Sequence, residues 1–288
     1  MNYRHAFHAG NFADVFKHAL LVQLIRALQR KEAGFLYLDT HAGRGRYDLA
    51  AAARGDTLLR RPEWPDGIGR LWAGEALPAA LADYVALVRE FNRDNGGDPA
   101  APRFYPGSPR LAHRLARPQD RLALCERHPE EGAALRAEFA RARRMSVQET
   151  DGYAALRAML PPPERRALVL IDPSFEAPDE FAQIAAALRE GLRRLPAGVF
   201  AIWHPLTQRA RTEELTAELL ALKLPPTLAL ELAVAGEGAG LKMRGCGMVV
   251  VNPPWQFEGL TEGFLPALAG MLAQAPGAGA TLRWLVPE

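Results

Sequence analysis

Short apolar runs that stop at an acid or a turn recur along this chain, with helical periodicity between them. "FLYLD" (35–39), "RLALCE" (121–126), "RALVLID" (166–172) and "GVFAIWHP" (198–205) read as buried strands, and "MSVQETDG" (145–152) as a shorter one with a polar end. Helical spacing fills 129–144, 153–159, 179–195 and 207–222. Parallel strands need crossover connections, which are usually helical. The alternation therefore predicts an α/β fold, a parallel sheet with helices on both faces. Runs 227–234 and 247–253 follow one another with no helix between them, which predicts an antiparallel pair at the end of the sheet.

At 288 residues the chain matches one large domain, or one domain carrying an insertion. Residues 48–104 are the place for it, because Pro, Gly and Asp punctuate helical patterns such as 77–94 and no strand is evident. The expected organisation is 1–47 as the N-terminal helix, first strand and glycine turn, 48–104 as a helical insertion subdomain, and 105–288 as the remainder of the main domain. Residues 14–31 carry helical spacing that stops near Gly34. In "YPGSPRLAHRLAR" (105–117), Ser108 is expected as N-cap and Pro109 as the first helical residue.

The net charge of +2 does not by itself argue for nucleic acid. Arginine clusters at Arg141, Arg143 and Arg144 and at Arg189, Arg193 and Arg194 suit phosphate, but equally suit solvated helix faces and C-termini. Cys125 and Cys246 sit in apolar runs, as reduced core residues do. The start lacks the pattern of a secretion signal, and no run approaches the roughly 18 apolar residues of a membrane span. A cytoplasmic protein with no membrane partner is expected.

Candidate chemistry sits at the strand ends. Asp39-Thr40-His41-Ala42-Gly43-Arg44-Gly45 has the acid-x-x-x-Gly-x-Gly form of a nucleoside-cofactor turn, which needs close backbone approach that a Cβ would block. A Gly-x-Gly is also an ordinary structural loop, and its place after the first strand favours the cofactor reading. Glu126 ends the second strand, where an acid accepts from ribose hydroxyls, although 81 residues (126 − 45) separate it from the turn instead of roughly 20. An insertion accounts for the excess. Asp151-Gly152, at the end of the third strand, is placed to accept from an adenine amino group.

Methylating an exocyclic amino nitrogen requires two acceptors for its N–H bonds, because its lone pair is delocalised into the ring. Asp172 and the Pro173 carbonyl fit those roles, with Phe175 as a stacking surface for an extruded base. Ser174 departs from the Asp/Asn/Ser-Pro-Pro-aromatic pattern. Asn252-Pro253-Pro254-Trp255 matches it better by letter, but it should end an antiparallel strand at the opposite edge, as a rigid turn with a buried tryptophan. "GEGAG" (236–240) reads as a flexible loop.

Together "YRHAFHAGNFADVFKH" (3–18), "LYLDTHAGRGRY" (36–47), "YPGSP" (105–109), "LIDPSFE" (170–176) and "NPPW" (252–255) resemble the RlmJ-type 23S rRNA adenine-N6 methyltransferases over essentially the whole chain. The resemblance implies a Rossmann-like class I methyltransferase fold using S-adenosyl-L-methionine, with a helical insertion after the glycine turn. It implies Asp172 as the catalytic acceptor and His18, His41, Ser108, Glu126, Asp151 and Gly152 as cofactor contacts beside Gly43 and Gly45. Tyr3 would touch the target adenosine. His5, His8 and His18 do not have zinc spacing, and no metal is expected. The expected partner is 23S rRNA, protein-free or in an early assembly intermediate, met by a monomer. The rivals are a DNA adenine methyltransferase, a non-catalytic RNA-binding protein on a degenerate methyltransferase fold, and a nicotinamide dehydrogenase. Against the last stands the incomplete glycine fingerprint.

Overall fold

The computed structural model describes residues 5–52, 61–74 and 76–288. Ten strands form: β1 Leu36–Asp39, β2 Arg46–Asp48, β3 Phe104–Pro106, β4 Arg121–Cys125, β5 Met145–Gln148, β6 Ala167–Ile171, β7 Val199–Leu206, β8 Thr227–Ala233, β9 Gly245–Val251 and β10 Gly279–Val286. Eight of them make one sheet in the order β10-β8-β9-β7-β6-β1-β4-β5. The run from β5 to β7 is parallel, β9 is antiparallel to both β7 and β8, and β10 is antiparallel to β8. Strand order reverses between β1 and β6, so the carboxyl ends of these strands open the crevice in which α/β sheets hold ligands.

Side chains alternate across the sheet with period two, and two separate cores result. Tyr37, Leu168 and Leu170 pack on one face, with the helix Phe12–Gln29. Leu36, Leu38, Val169 and Ile171 pack on the other, with the helices Gly152–Met159 and Glu180–Arg194. The same alternation places Asp39 and Asp172 on the face covered by the helix Phe12–Gln29.

That helix is buried almost all round, from Phe12 to Ile25, because the helix Ala79–Asp94 lies on its outer side. Gln23 Nε2 donates to the Ala80 carbonyl at 3.2 Å, and Ile68 N donates to the Gly10 carbonyl at 2.8 Å. A Cβ on Gly67 would stand 2.1 Å from that same Gly10 carbonyl, so glycine is what permits the contact.

Several expectations change. The span 48–104 is bracketed by strands, since Asp48 pairs with Phe104 and Tyr47 with Tyr105 in a two-stranded antiparallel sheet. The edge strand β10 and the helices Phe257–Glu262 and Leu265–Leu272 extend a C-terminal region from which only β8 and β9 were expected. The helix beginning at Pro129 stops at Glu138, so Arg141, Arg143 and Arg144 lie in the connection to β5 and not on a helix face. Ser108 is not the N-cap: Gly107 takes that place with extended backbone, and Ser108 is the first helical residue of Ser108–Leu115. Its hydroxyl is committed elsewhere.

Candidate active site

Asp39 closes β1 and is fully buried. Its Oδ2 accepts from the Tyr37 hydroxyl at 2.8 Å and from the Ser108 hydroxyl at 2.7 Å, which is why Ser108 does not cap its own helix. Burial outweighs these bonds and pushes the carboxyl up to about 6. Beyond it the chain turns through Gly43 and Gly45, at φ +60° and +79°, a region costly for residues with a Cβ. Gly45 O then accepts from Gly107 N at 2.9 Å, tying the turn to the helix that opens with Ser108.

Glu126 follows β4 and reaches across to this turn. Its Oε2 accepts from Gly43 N at 2.8 Å and its Oε1 from His128 N at 2.7 Å. Each oxygen retains a lone pair, so the carboxylate can still accept two further hydroxyls. Asp151 caps the helix Gly152–Met159, accepting from Tyr153 N at 2.8 Å and Ala154 N at 3.3 Å. Gly152 is required by packing, because a Cβ would lie 2.0 Å from the Thr40 carbonyl. His41 Nδ1 is 2.8 Å from Thr40 Oγ1, whose own hydrogen goes to the Leu170 carbonyl at 2.9 Å. Nδ1 is therefore the protonated nitrogen. Burial lowers the ring to about 4, and it stands edge-on to Tyr153. His18 lies deeper, with Nδ1 2.7 Å from the Tyr105 hydroxyl, which in turn is 2.8 Å from that of Tyr84. This line of rings joins the site to the residues between β2 and β3.

Asp172 leaves the end of β6 and meets a partner that nothing in the sequence motifs names. Lys17 Nζ, from the middle of the helix Phe12–Gln29, donates to Asp172 Oδ2 at 2.6 Å and pairs with Asp14 Oδ1 at 2.9 Å. The three side chains are 6%, 16% and 4% exposed for Lys17, Asp172 and Asp14. Burial opposes the ammonium charge, yet the two carboxylates together hold Lys17 well above its usual range. The group carries two negative charges against one positive. Asp14 Oδ2 is fixed by Gly10 N at 3.0 Å, so the lysine is aimed from a rigid base.

Pro173 is buried, and Phe175 adopts left-handed backbone at φ +55°, which costs a non-glycine residue about 1–2 kcal/mol. Its ring packs 5.7 Å from Trp203 of β7 and 6.0 Å from Phe181. Lys17 Nζ is 6.0 Å from the Trp203 ring centre, so Lys17, Asp172, Phe175 and Trp203 form one cluster. Lys17 and Trp203 are the functional candidates missed from sequence. The available signal was a lysine inside an otherwise apolar helical stretch, which needs a buried anion to be tolerated.

Asn252 lies at the other end of the sheet. It follows β9 in left-handed backbone (φ +52°), and its Nδ2 donates to the Pro196 and Gly198 carbonyls ahead of β7, at 2.8 and 2.9 Å. The expected buried tryptophan is not found there: Trp255 is 73% exposed, because the Pro253-Pro254 turn throws it outward. Tyr3 lies outside the described residues.

The family described as "Ribosomal RNA large subunit methyltransferase D, RlmJ" matches residues 32–286. The chain belongs to this family. Ribosomal RNA large subunit methyltransferase J of Escherichia coli (strain K12) is 40% identical over 288 residues, covering all of both chains, and the protein of the same name from Haemophilus influenzae matches equally. A crystal structure of a Legionella pneumophila protein aligns with TM-score 0.83 at 33% identity, covering 96% of this chain and 97% of that one. Family membership accounts for the fold.

Proposed function

We propose that the protein transfers a methyl group from S-adenosyl-L-methionine to N6 of an adenine in 23S rRNA, with the base unstacked into the pocket. The observation that carries this reading is the part-buried Lys17–Asp172 pair beside Phe175, at the end of β6 and on the same sheet face as Asp39. Bound S-adenosyl-L-methionine supplies an electrophilic methyl on a sulfonium centre. Glu126 has acceptor capacity left for the ribose diol, Asp151 for an adenine amino group, and the Ser108 end of its helix for the carboxylate.

Lys17 occupies Asp172 Oδ2, leaving Oδ1 to accept one N6–H while the Pro173 carbonyl accepts the other. Both bonds localise the nitrogen lone pair for attack. The surplus negative charge of Asp14, Lys17 and Asp172 favours the positive charge that builds on N6 as the methyl arrives. Phe175, with Trp203 behind it, offers the stacking surface. In this reading residues 48–104 are an insertion into the methyltransferase domain, Tyr3 contacts the adenosine, and the protein works as a cytoplasmic monomer on rRNA that is protein-free or early in assembly. Among the described residues no helix is long and apolar enough to cross a membrane.

The test is transfer of labelled methyl to protein-free 23S rRNA, with double-stranded DNA and the Asp172→Ala protein in parallel. The expected product is N6-methyladenosine in the RNA alone, with turnover down roughly 10²–10⁴-fold in the variant, as for loss of a proton-accepting group. Label in DNA, or normal turnover by Asp172→Ala, would overturn the reading.

A further inference from the structure

The Asn252-Pro253-Pro254-Trp255 turn takes no part in the chemistry above, yet it is held firmly. Asn252 N donates to Pro226 O at 2.8 Å, its side chain spans two carbonyls, and Phe257 beyond it is 1% exposed. Arg30 Nη1 donates to the Trp255 carbonyl and to Gln256 Oε1, both at 3.3 Å. The loop is anchored on both sides while the indole itself points into solvent, 73% exposed. A large aromatic surface presented on a rigid loop, and not covered by the fold, is a stacking platform.

The loops along this end of the sheet carry exposed cations. Arg30 and Lys31 follow the helix Phe12–Gln29, Arg143 and Arg144 precede β5, Arg165 precedes β6, and Lys223 lies before β8, all of them exposed. Arg144, Arg165 and Lys223 have left-handed backbone, with φ of 56°, 53° and 53°. Among the described residues none of these six has a carboxylate within ion-pair distance. The acids of this end are partly committed: Asp120 to Arg117, Glu164 to Arg121, and Glu258 to the Trp284 indole N–H, leaving Glu32, Glu288 and the exposed Glu262 in opposition. From β5 to β9 the sheet crosses five inter-strand gaps, a span of about 24 Å at roughly 4.8 Å per gap.

We propose that this end of the sheet, opposite the active site, is a second RNA-contacting surface, on which Trp255 stacks an unpaired nucleotide while the flanking cations hold phosphates. The inference rests on rRNA being the substrate and narrows its class. A strand of five residues separates the two ends by about 17 Å, so the nucleotide on Trp255 and the target adenine belong to different segments of one folded RNA.

The experiment is equilibrium binding of protein-free, in vitro transcribed 23S rRNA between 50 and 200 mM salt, with methyl transfer and thermal unfolding measured on the same proteins. Trp255→Ala should weaken binding fivefold or more with its salt dependence unchanged, as loss of one stacked base predicts, and Trp255→Phe should restore most of it. An Arg143→Ala/Arg144→Ala/Arg165→Ala protein should lower the slope of log affinity against log salt by roughly 0.7–0.9 for each phosphate it no longer neutralises. Unfolding midpoints and turnover at saturating RNA should stay at wild-type values. Wild-type affinity in Trp255→Ala would overturn the proposal while leaving the methyltransferase reading intact. So would a loss confined to self-association in sedimentation, which would make the face a protein interface. A wild-type protein that neither binds nor methylates rRNA would overturn both.

Discussion

Replacing Lys17 with methionine keeps the length and apolar stem of the side chain and removes its charge. Two carboxylates, 4% and 16% exposed, would then face each other across the vacated position with no cation between them. Removing one partner of a buried pair costs about 3–5 kcal/mol, most of it the desolvation of the charge left behind. For a chain of this size that corresponds to a fall in unfolding midpoint of roughly 5–8 °C. The protein can escape part of this cost by protonating Asp14 or Asp172, so the defect should be smaller at pH 5 than at pH 8. Adding Asp14→Asn to Lys17→Met should recover stability, because it removes one of the two orphaned charges. It should not recover methyl transfer, since Asp172 Oδ2 still lacks the ammonium that holds it at 2.6 Å. Calorimetry against pH on the two variants and the wild type, with single-turnover methyl transfer on each, separates the two effects. A loss below about 1 kcal/mol in Lys17→Met, or equal loss at both pH values, would mean the group is screened by solvent, and the charge argument for catalysis would fail with it.

Two further perturbations test other parts of the structure. Gly152→Ala sets a Cβ against the Thr40 carbonyl, so the helix Gly152–Met159 must move; stability should fall by about 1–3 kcal/mol and cofactor affinity at least tenfold, and unchanged melting and titration calorimetry would refute the steric argument. His204 is 3% exposed with Nδ1 unpartnered, and burial lowers it to about 4. Its folded value lies below the unfolded one of about 6.5, so the unfolded chain binds the extra proton, and stability present above pH 6.5 is lost as pH falls toward 4, by about 3 kcal/mol. His204→Phe should flatten denaturant-derived stability across that window, and an unaltered slope would assign the acid sensitivity to other groups.

The strands around the site were legible because they are buried on both faces. β1, β4 and β6 appear in sequence as continuous apolar runs, and the acids that follow them fall at the crevice wherever such strands are parallel. The edge strand β10 was not legible: one side faces solvent, and Thr281 and Arg283 break its apolar pattern. β2 and β3 are three residues each, and nothing local signals a pairing between Asp48 and Phe104. Lys17 is hidden for a related reason. Its partner Asp172 is 155 residues away, and a lysine in a helix is by default a solvated one. The indole of Trp255 reads as core because aromatic side chains usually are, whereas the direction of a Pro-Pro turn is set by the carbonyls that grip Asn252. Ser108 has the residue type and position of a helix cap, but a buried carboxylate is the stronger acceptor and draws its hydroxyl away.

The pairing of β2 with β3 has a consequence for how such a chain can grow. Asp48 and Phe104 are neighbours across a ladder, so the 55 residues between them (104 − 48 − 1) are in effect the loop of one hairpin. Closing a flexible loop of that length in place of a four-residue turn costs only about 2 kcal/mol, since the entropy rises with the logarithm of length. Residues such as Leu81, Tyr84, Val85 and Val88, buried within that loop, more than offset it. Added length within that loop would therefore leave the ladder and the Gly45–Gly107 contact in register, so long as Tyr84 still reaches Tyr105, the hydroxyl through which the loop touches His18.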